Sequence, residues 1–145
     1  MTRLALDVGK ARIGIARSEG SLALPIAVIA NDAGSLDEIN RLVNEIGAAC
    51  IYIGLPLSLS GAHTPSTQMA IAFGKSLESV VKAPVRYIDE RLTSKSASQQ
   101  LRIAGKDARS QKGIIDASAA AIILEFAINS ERGELAGKSL EELDA

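Results

Sequence analysis

The chain predicts an α/β domain built on a five-stranded mixed sheet, three antiparallel strands then two parallel ones, with helices on both faces. Short apolar runs with period-two alternation fill the first thirty residues, with no helical segment between them. Beyond them, strand-length apolar runs alternate with stretches of helical period, which implies right-handed crossovers. The composition also suits close helix-on-sheet packing. Hydrophobic residues make up 47%, many of them alanine or β-branched, while aromatics are only 3% and Trp is absent.

Taken in order, residues 3–8 read as a buried strand, Gly9-Lys10-Ala11 as a turn, and residues 12–17 as the second strand of a hairpin. Residues 22–29 form a third strand, with Pro25 marking an edge or a bulge. Ser35 with Glu38 has the spacing of a capping box, and Leu36, Ile39, Leu42, Val43 and Ile46 then recur at helical period until Gly47. The unbroken apolar run 49–54 predicts a strand buried on both faces. Residues 55–65 read as a loop, 66–81 as a helix, and 85–88 as a fifth strand after the break at Ala83-Pro84. Thr93 or Ser94 caps a helix to about Ala104, residues 106–110 form a polar basic loop, and 111–129 form a last helix. Residues 1–130 are thus expected to be the domain, and 131–145 an acidic, flexible tail.

Composition narrows the function. The lone Cys50 sits in an apolar strand, which excludes a disulfide framework and reads as a small core residue in a reducing cytoplasm. No long uncharged apolar run exists, so neither export nor membrane spanning is expected. The net charge of −1 hides a split: residues 131–145 carry five acids and two bases, −3, leaving +2 on the rest. Residues 86–112 carry seven bases against three acids, +4, which suits a phosphodiester ligand and equally suits a solvated helix face.

Acids at the edges of the most apolar segments carry the chemistry. Asp7 interrupts Leu4-Ala5-Leu6 and Val8, Asp89 and Glu90 close the fifth strand, and Asp116 lies between Ile114-Ile115 and the run 117–124. A carboxylate beside a core is costly unless positive charge meets it. With one His and one Cys in the chain, the expected partner is a hard cation held by oxygen, Mg2+ or Mn2+. Asp7, Glu90 and Asp116 are therefore the candidate metal ligands and catalytic residues, with Asp89 as a substitute for Glu90. Other readings stand beside this one: Asp7 as a turn acid, Asp89 or Glu90 as a cap or a partner of Arg91, and Asp116 as a helix-dipole acid. Arg12, Arg91, Lys95, Arg102, Lys106, Arg109 and Lys112 are the candidate phosphate contacts, and His63 reads as a surface histidine.

The segments Leu6-Asp7-Val8-Gly9 and Arg12-Ile13-Gly14-Ile15-Ala16 look like the opening hairpin of the ribonuclease-H-like nucleases. With Gly54-Leu55-Pro56-Leu57, Asp89-Glu90-Arg91-Leu92-Thr93 and Asp116-Ala117-Ser118-Ala119-Ala120 following in order, the chain resembles the YqgF (RuvX) family from Thr2 to about Asn129. That family is described both as Holliday-junction resolvases and as nucleases maturing the small-subunit ribosomal RNA precursor. The resemblance implies a ribonuclease-H-like fold and the three acids Asp7, Glu90 and Asp116 as the site. Ser58 and Ser60 depart from its usual Asn and Asp, and Lys10-Ala11 from its usual acidic or polar residue and Lys. The expected activity is metal-dependent endonuclease cleavage of structured nucleic acid in the cytoplasm, with precursor ribosomal RNA or branched DNA as substrate. Ribosomal particles are an implied partner, and the protein is expected to be a monomer or homodimer. A non-catalytic ribosome-assembly or nucleic-acid-binding module and an actin-like nucleotide-binding domain are the alternatives.

Overall fold

The computed structural model describes residues 1–93 and 108–143, with side chains for 1–93 and 118–143. The elements are β1 (Arg3–Val8), β2 (Arg12–Glu19), β3 (Leu22–Ala30), α1 (Ser35–Ile46), β4 (Cys50–Leu55), α2 (Pro65–Glu78), β5 (Val85–Asp89), a 3-10 turn (Glu90–Leu92), α3 (Ala108–Ser130) and a short α4 (Leu140–Leu143). The helix expected at 93–104 falls almost wholly outside the described residues. The sheet order is β3-β2-β1-β4-β5, with β1, β2 and β3 antiparallel and β4 parallel to both β1 and β5. The predicted mixed sheet is present, and β1, which carries Asp7, is its central strand.

Period-two alternation sorts the side chains into two cores. On one face Leu4, Leu6, Val8, Ile51, Ile53, Leu55, Val85 and Tyr87 pack with Ile39 and Val43 of α1 and Ala70 and Leu77 of α2. On the other face Ala5, Ala16, Cys50, Tyr52 and Ile88 meet Ala120, Ile123, Leu124 and Ala127 of α3. The second face is built of smaller side chains, so α3 can approach the sheet closely. Asp7 shares parity with Ala5, and Gly54 shares it with Tyr52, so both belong to the α3 face. Asp89 shares parity with Val85 and Tyr87, and belongs to the opposite one.

Local expectations mostly hold, with four corrections. Pro25 lies in the edge strand, next to the register shift opposite Ile15/Ala16, so both of its readings are realised. The capping box at Ser35 does not form. Gly34 is the N-cap, while buried Ser35 donates its hydroxyl to the Ala30 carbonyl at 2.7 Å and accepts from the Asp32 amide at 2.8 Å. A reciprocal Thr64–Thr67 box starts α2 instead, with Pro65 at its first position. Ala108 to Ser110, read from sequence as loop, is the first turn of α3.

The fourth correction concerns the tail, which as far as residue 143 is packed rather than flexible. Arg3 grips Glu131 through Nε at 2.9 and 3.0 Å and Nη2 at 2.7 Å, and the Tyr52 hydroxyl donates to the same carboxylate at 2.5 Å. Burial opposes ionisation of Glu131, and these hydrogen bonds more than offset it, holding the carboxyl below its ordinary value. Tyr87 and Lys138 then exchange backbone hydrogen bonds at 2.7 and 3.0 Å, and Arg86 donates to the carbonyls of Ala136 and Gly137 and to Glu142. Two of the tail's acids, Glu131 and Glu142, thus find bases of the domain, and its backbone covers the exposed edge of β5.

Candidate active site

The carboxyl ends of β1, β4 and β5 lie at one end of the sheet, where crevices form in open α/β folds. Asp7 is the penultimate residue of β1, half-buried and paired in register with Gly14. Glu90 opens the 3-10 turn that follows β5. Its carboxyl shares a hydrogen bond with Asp7 and is pushed up to about 7, first by burial and then by the Asp7 charge, with Asp89 adding a smaller push. Two of the three acids singled out from sequence, Asp7 and Glu90, therefore meet, while the side chain of the third, Asp116, lies outside the described residues.

The turn that aims Glu90 is held from both sides. Asp89 Oδ1 accepts from the Arg91 amide at 2.9 Å, and the Arg91 guanidinium closes on the same carboxylate at 2.6 to 3.0 Å. On the far side, Thr93 donates its amide and its hydroxyl to the Glu90 carbonyl at 3.0 and 3.1 Å. The Asp89 carboxyl is held below its ordinary value by Arg91. Strand parity and this pairing together take Asp89 away from Asp7, so Glu90 is the acid brought to it. Arg91 also reaches the Leu59 carbonyl at 3.4 Å, and so ties the β4–α2 loop to the same turn.

Gly54 is the site residue that sequence reasoning passed over. A Cβ there would stand 2.6 Å from Glu90 Oε1 and 2.5 Å from Ile123 Cδ1. Glu90 lies over the bare backbone of β4 because there is no side chain to displace it. A glycine near the end of a strand buried along its whole length was the available signal, since such positions mark a close approach. Gly9 has a similar role in the β1–β2 turn: its amide bonds the Arg12 carbonyl at 2.8 Å, where a Cβ would collide, and Asn31 donates to the Gly9 carbonyl at 2.7 Å.

The remaining candidates divide by position. Arg12 is exposed at the start of β2 just past Asp7, beside the exposed Lys10 of the turn, which was not a sequence candidate, and Arg91 is exposed at the rim beside Glu90. Lys95, Arg102 and Lys106 lie outside the described residues, as do the side chains of Arg109, Lys112 and Asp116. The backbone of Asp116 belongs to α3, one turn before Ala119 and Ala120. His63 is exposed and pairs with Leu57 in a bridge that narrows the β4–α2 loop. Between that loop and α3, a cleft of about 350 Å3 opens with Glu90 in its wall. Among the described residues no cluster of three metal-ligating side chains occurs, and Asp7 with Glu90 forms a pair. No helix among them is long and apolar enough to cross a membrane.

A family model described as "RuvX: Holliday junction resolvase" matches residues 1–130. A protein of Leifsonia xyli named "Putative pre-16S rRNA nuclease" is 46% identical over 134 residues, covering 90% of this chain and 86% of its own. One of the same name from Clavibacter michiganensis is 47% identical over 136 residues, covering 90% and 84%. Among solved structures, Thermus thermophilus RuvC in complex with a Holliday junction substrate superposes with a TM-score of 0.61 at 14% identity, covering 92% of this chain and 96% of that one. That likeness establishes the ribonuclease-H-like fold. With a match that spans both acids of the pair and reaches the end of α3, the chain belongs to the RuvX family.

Proposed function

We propose that this protein is a metal-dependent endonuclease that hydrolyses phosphodiester bonds in structured nucleic acid, acting on the 16S ribosomal RNA precursor in cytoplasmic ribosomal particles. The observation that carries the reading is the Asp7–Glu90 carboxylate pair at the carboxyl ends of the strands, in a chain whose relatives are named for that activity. Two carboxyls sharing one hydrogen bond, one of them pushed up to about 7, carry a charge surplus that a divalent cation relieves. The donor set is all oxygen, which fits Mg2+ or Mn2+ and not a soft metal. Asp7 and Glu90 would hold the ion. Asp116 is the third ligand in this reading, because its helix passes over the Glu90 cleft one turn later, at Ala119.

A hard divalent ion bound there supplies charge stabilisation at phosphorus and eases deprotonation of an attacking water. The chain's own residues do the remainder. Asp7 and Glu90 orient the centre through fixed backbone turns, the exposed Lys10 and Arg12 meet the phosphates on one side, and Arg91 meets them on the other. In this reading Lys95, Arg102, Lys106, Arg109 and Lys112 extend the phosphate track.

A second substrate, the four-way DNA junction, is favoured by the family's own description. Purified protein with Mg2+ or Mn2+ should be offered both substrates, alongside Asp7→Asn, Glu90→Gln and Asp116→Asn. Cleavage of the precursor RNA by wild type, lost in all three variants while folding persists, supports the reading. If wild type cuts neither substrate, or the variants cut as it does, the reading is wrong. Tight ATP binding without nucleic-acid binding would point to a nucleotide-binding domain instead.

A further inference from the structure

The cleft beside Glu90 has walls that the cation site does not require. Pro56, Leu57 and Leu59 of the β4–α2 loop form one side, and Ala119, Ile122 and Ile123 of α3 form the other. Among the described residues, polar groups enter only from the turn after β5, through Glu90, Arg91 and Thr93. A phosphodiester backbone is poorly matched to such walls, whereas the flat apolar face of a base suits them. At about 350 Å3 the space lies in the range of small-ligand sites and has room for one nucleoside.

Leu59 is the second observation. Its side chain is 96% exposed, although the loop that carries it is fixed. The Ser58 amide and the Ala62 carbonyl bond at 3.0 Å, the Ala62 amide donates to Ser58 Oγ at 3.0 Å, and the Gly61 amide donates to the Ser58 carbonyl at 2.8 Å. Gly61 takes a φ of 85°, which lets the chain reverse there, and Arg91 holds the Leu59 carbonyl. A rigid turn thus presents a large apolar side chain to solvent at the mouth of a cleft that contains the site carboxylate. No core contact within the described residues accounts for leucine at that tip.

Resting on the nuclease reading, we infer that this cleft is a subsite for one unpaired nucleoside next to the scissile phosphate, with Leu59 covering its base. The walls offer few hydrogen-bonding groups among the described residues, so the subsite accepts any base and selects for one that is unstacked. The substrate is then cut where a nucleotide is single-stranded or can leave its stack, and poorly within a continuous duplex. Arg91, at the edge of the cleft, meets the phosphate that follows the held base. Leu59 is a specificity-determining residue rather than part of the chemistry.

The test crosses a protein change with a substrate change. The cut in a substrate of known sequence is first mapped with wild-type protein and Mn2+. The nucleotide on each side of it is then replaced, in turn, by an abasic one. At one side, loss of the base should slow single-turnover cleavage by wild type about tenfold, the order expected when the apolar contacts of one base are lost. Leu59→Ser should slow cleavage of the intact substrate about as much, and should add little on the abasic substrate, because both changes remove the same contact. Circular dichroism confirms that this surface variant is folded. The inference is overturned if Leu59→Ser cuts the intact substrate as fast as wild type, if base removal on neither side matters, or if the two losses multiply. Failure of wild type to cut any nucleic acid would instead remove the nuclease reading, and this subsite with it.

Discussion

Replacing Glu90 with Gln should make the protein more stable, and the gain should depend on pH. The Glu90 carboxyl is pushed up from 4.5 to about 7, mainly by burial and then by Asp7. For a group whose value is higher in the folded state, the stabilising linkage is complete below about 4.5. It declines as pH rises and is gone once the folded carboxyl ionises above about 7. The gap between 4.5 and about 7, at about 1.36 kcal/mol for each pH unit, comes to about 3 kcal/mol. The Gln side chain keeps the shape and the neutral charge at every pH. Wild type and Glu90→Gln should therefore be about equally stable at pH ~4.5, and at pH ~8 the variant should be ahead by about 3 kcal/mol. In a chain of this length that corresponds to about 10 °C in Tm. Urea unfolding across this range, with chelator present, measures the difference directly. A gap that does not widen with pH, or a variant less stable than wild type at the alkaline end, would refute the account of the pair. Adding Mg2+ near pH 8 should raise the stability of wild type and have little effect on the variant.

Gly54→Ala places a methyl group 2.6 Å from Glu90 Oε1 and 2.5 Å from Ile123 Cδ1, so it should cost about 1–3 kcal/mol and at least ~100-fold in cleavage rate. A variant that cuts normally would show that Glu90 need not lie over β4. Arg91→Ala frees both Asp89 and the Leu59 carbonyl; cleavage should fall about tenfold while the unfolding midpoint stays unchanged, and an equal effect on both would make Arg91 merely structural. Arg3→Met leaves Glu131 without its cation next to Tyr52, and should lower stability by about 1–3 kcal/mol in urea unfolding without changing kcat. Ala120→Leu overpacks a fully buried contact and should cost about 1–3 kcal/mol, with cleavage impaired well before folding is lost.

What was legible in the sequence followed from periodicity, and what was missed follows from contacts with none. The five strands in their sequence order and the antiparallel-then-parallel character of the sheet come from period-two runs and crossover rules acting locally. The choice between Asp89 and Glu90 was also within reach. Asp89 stands four residues after Val85 and shares its face, whereas Asp7 shares the face of Ala5, so strand alternation alone separates Asp89 from Asp7. The Ser35 box failed for a different reason. The pattern was present, but the hydroxyl was taken by the Ala30 carbonyl in a buried turn, where leaving that carbonyl unpaired would cost more than losing a cap. The docked tail depends on Arg3 meeting Glu131 across 128 positions, a pairing that no local spacing announces.

That distant pairing bears on the site itself. Glu131, at the end of α3, is fixed to Arg3 at the start of β1, while Ile123 and Ala119 reach Gly54 and the Glu90 cleft at the far end of the sheet. The helix therefore runs antiparallel to β1, and its earlier turns are carried towards the Asp7 end. How close it lies is set by Ala5, Ala16 and Ala120, all fully buried in the contact between helix and sheet. The backbone of α3 is thus held to β1 by an ion pair at one end and by a small-residue seam along the contact. A larger side chain in that seam lifts the helix along much of its length. The clamp and the seam thus hold the helix to the sheet at two places. Clamp and seam both contribute to stability, and a change in the seam at Ala120, which lies in the contact between helix and sheet, should reach the site as well, whereas a change at Arg3 should not.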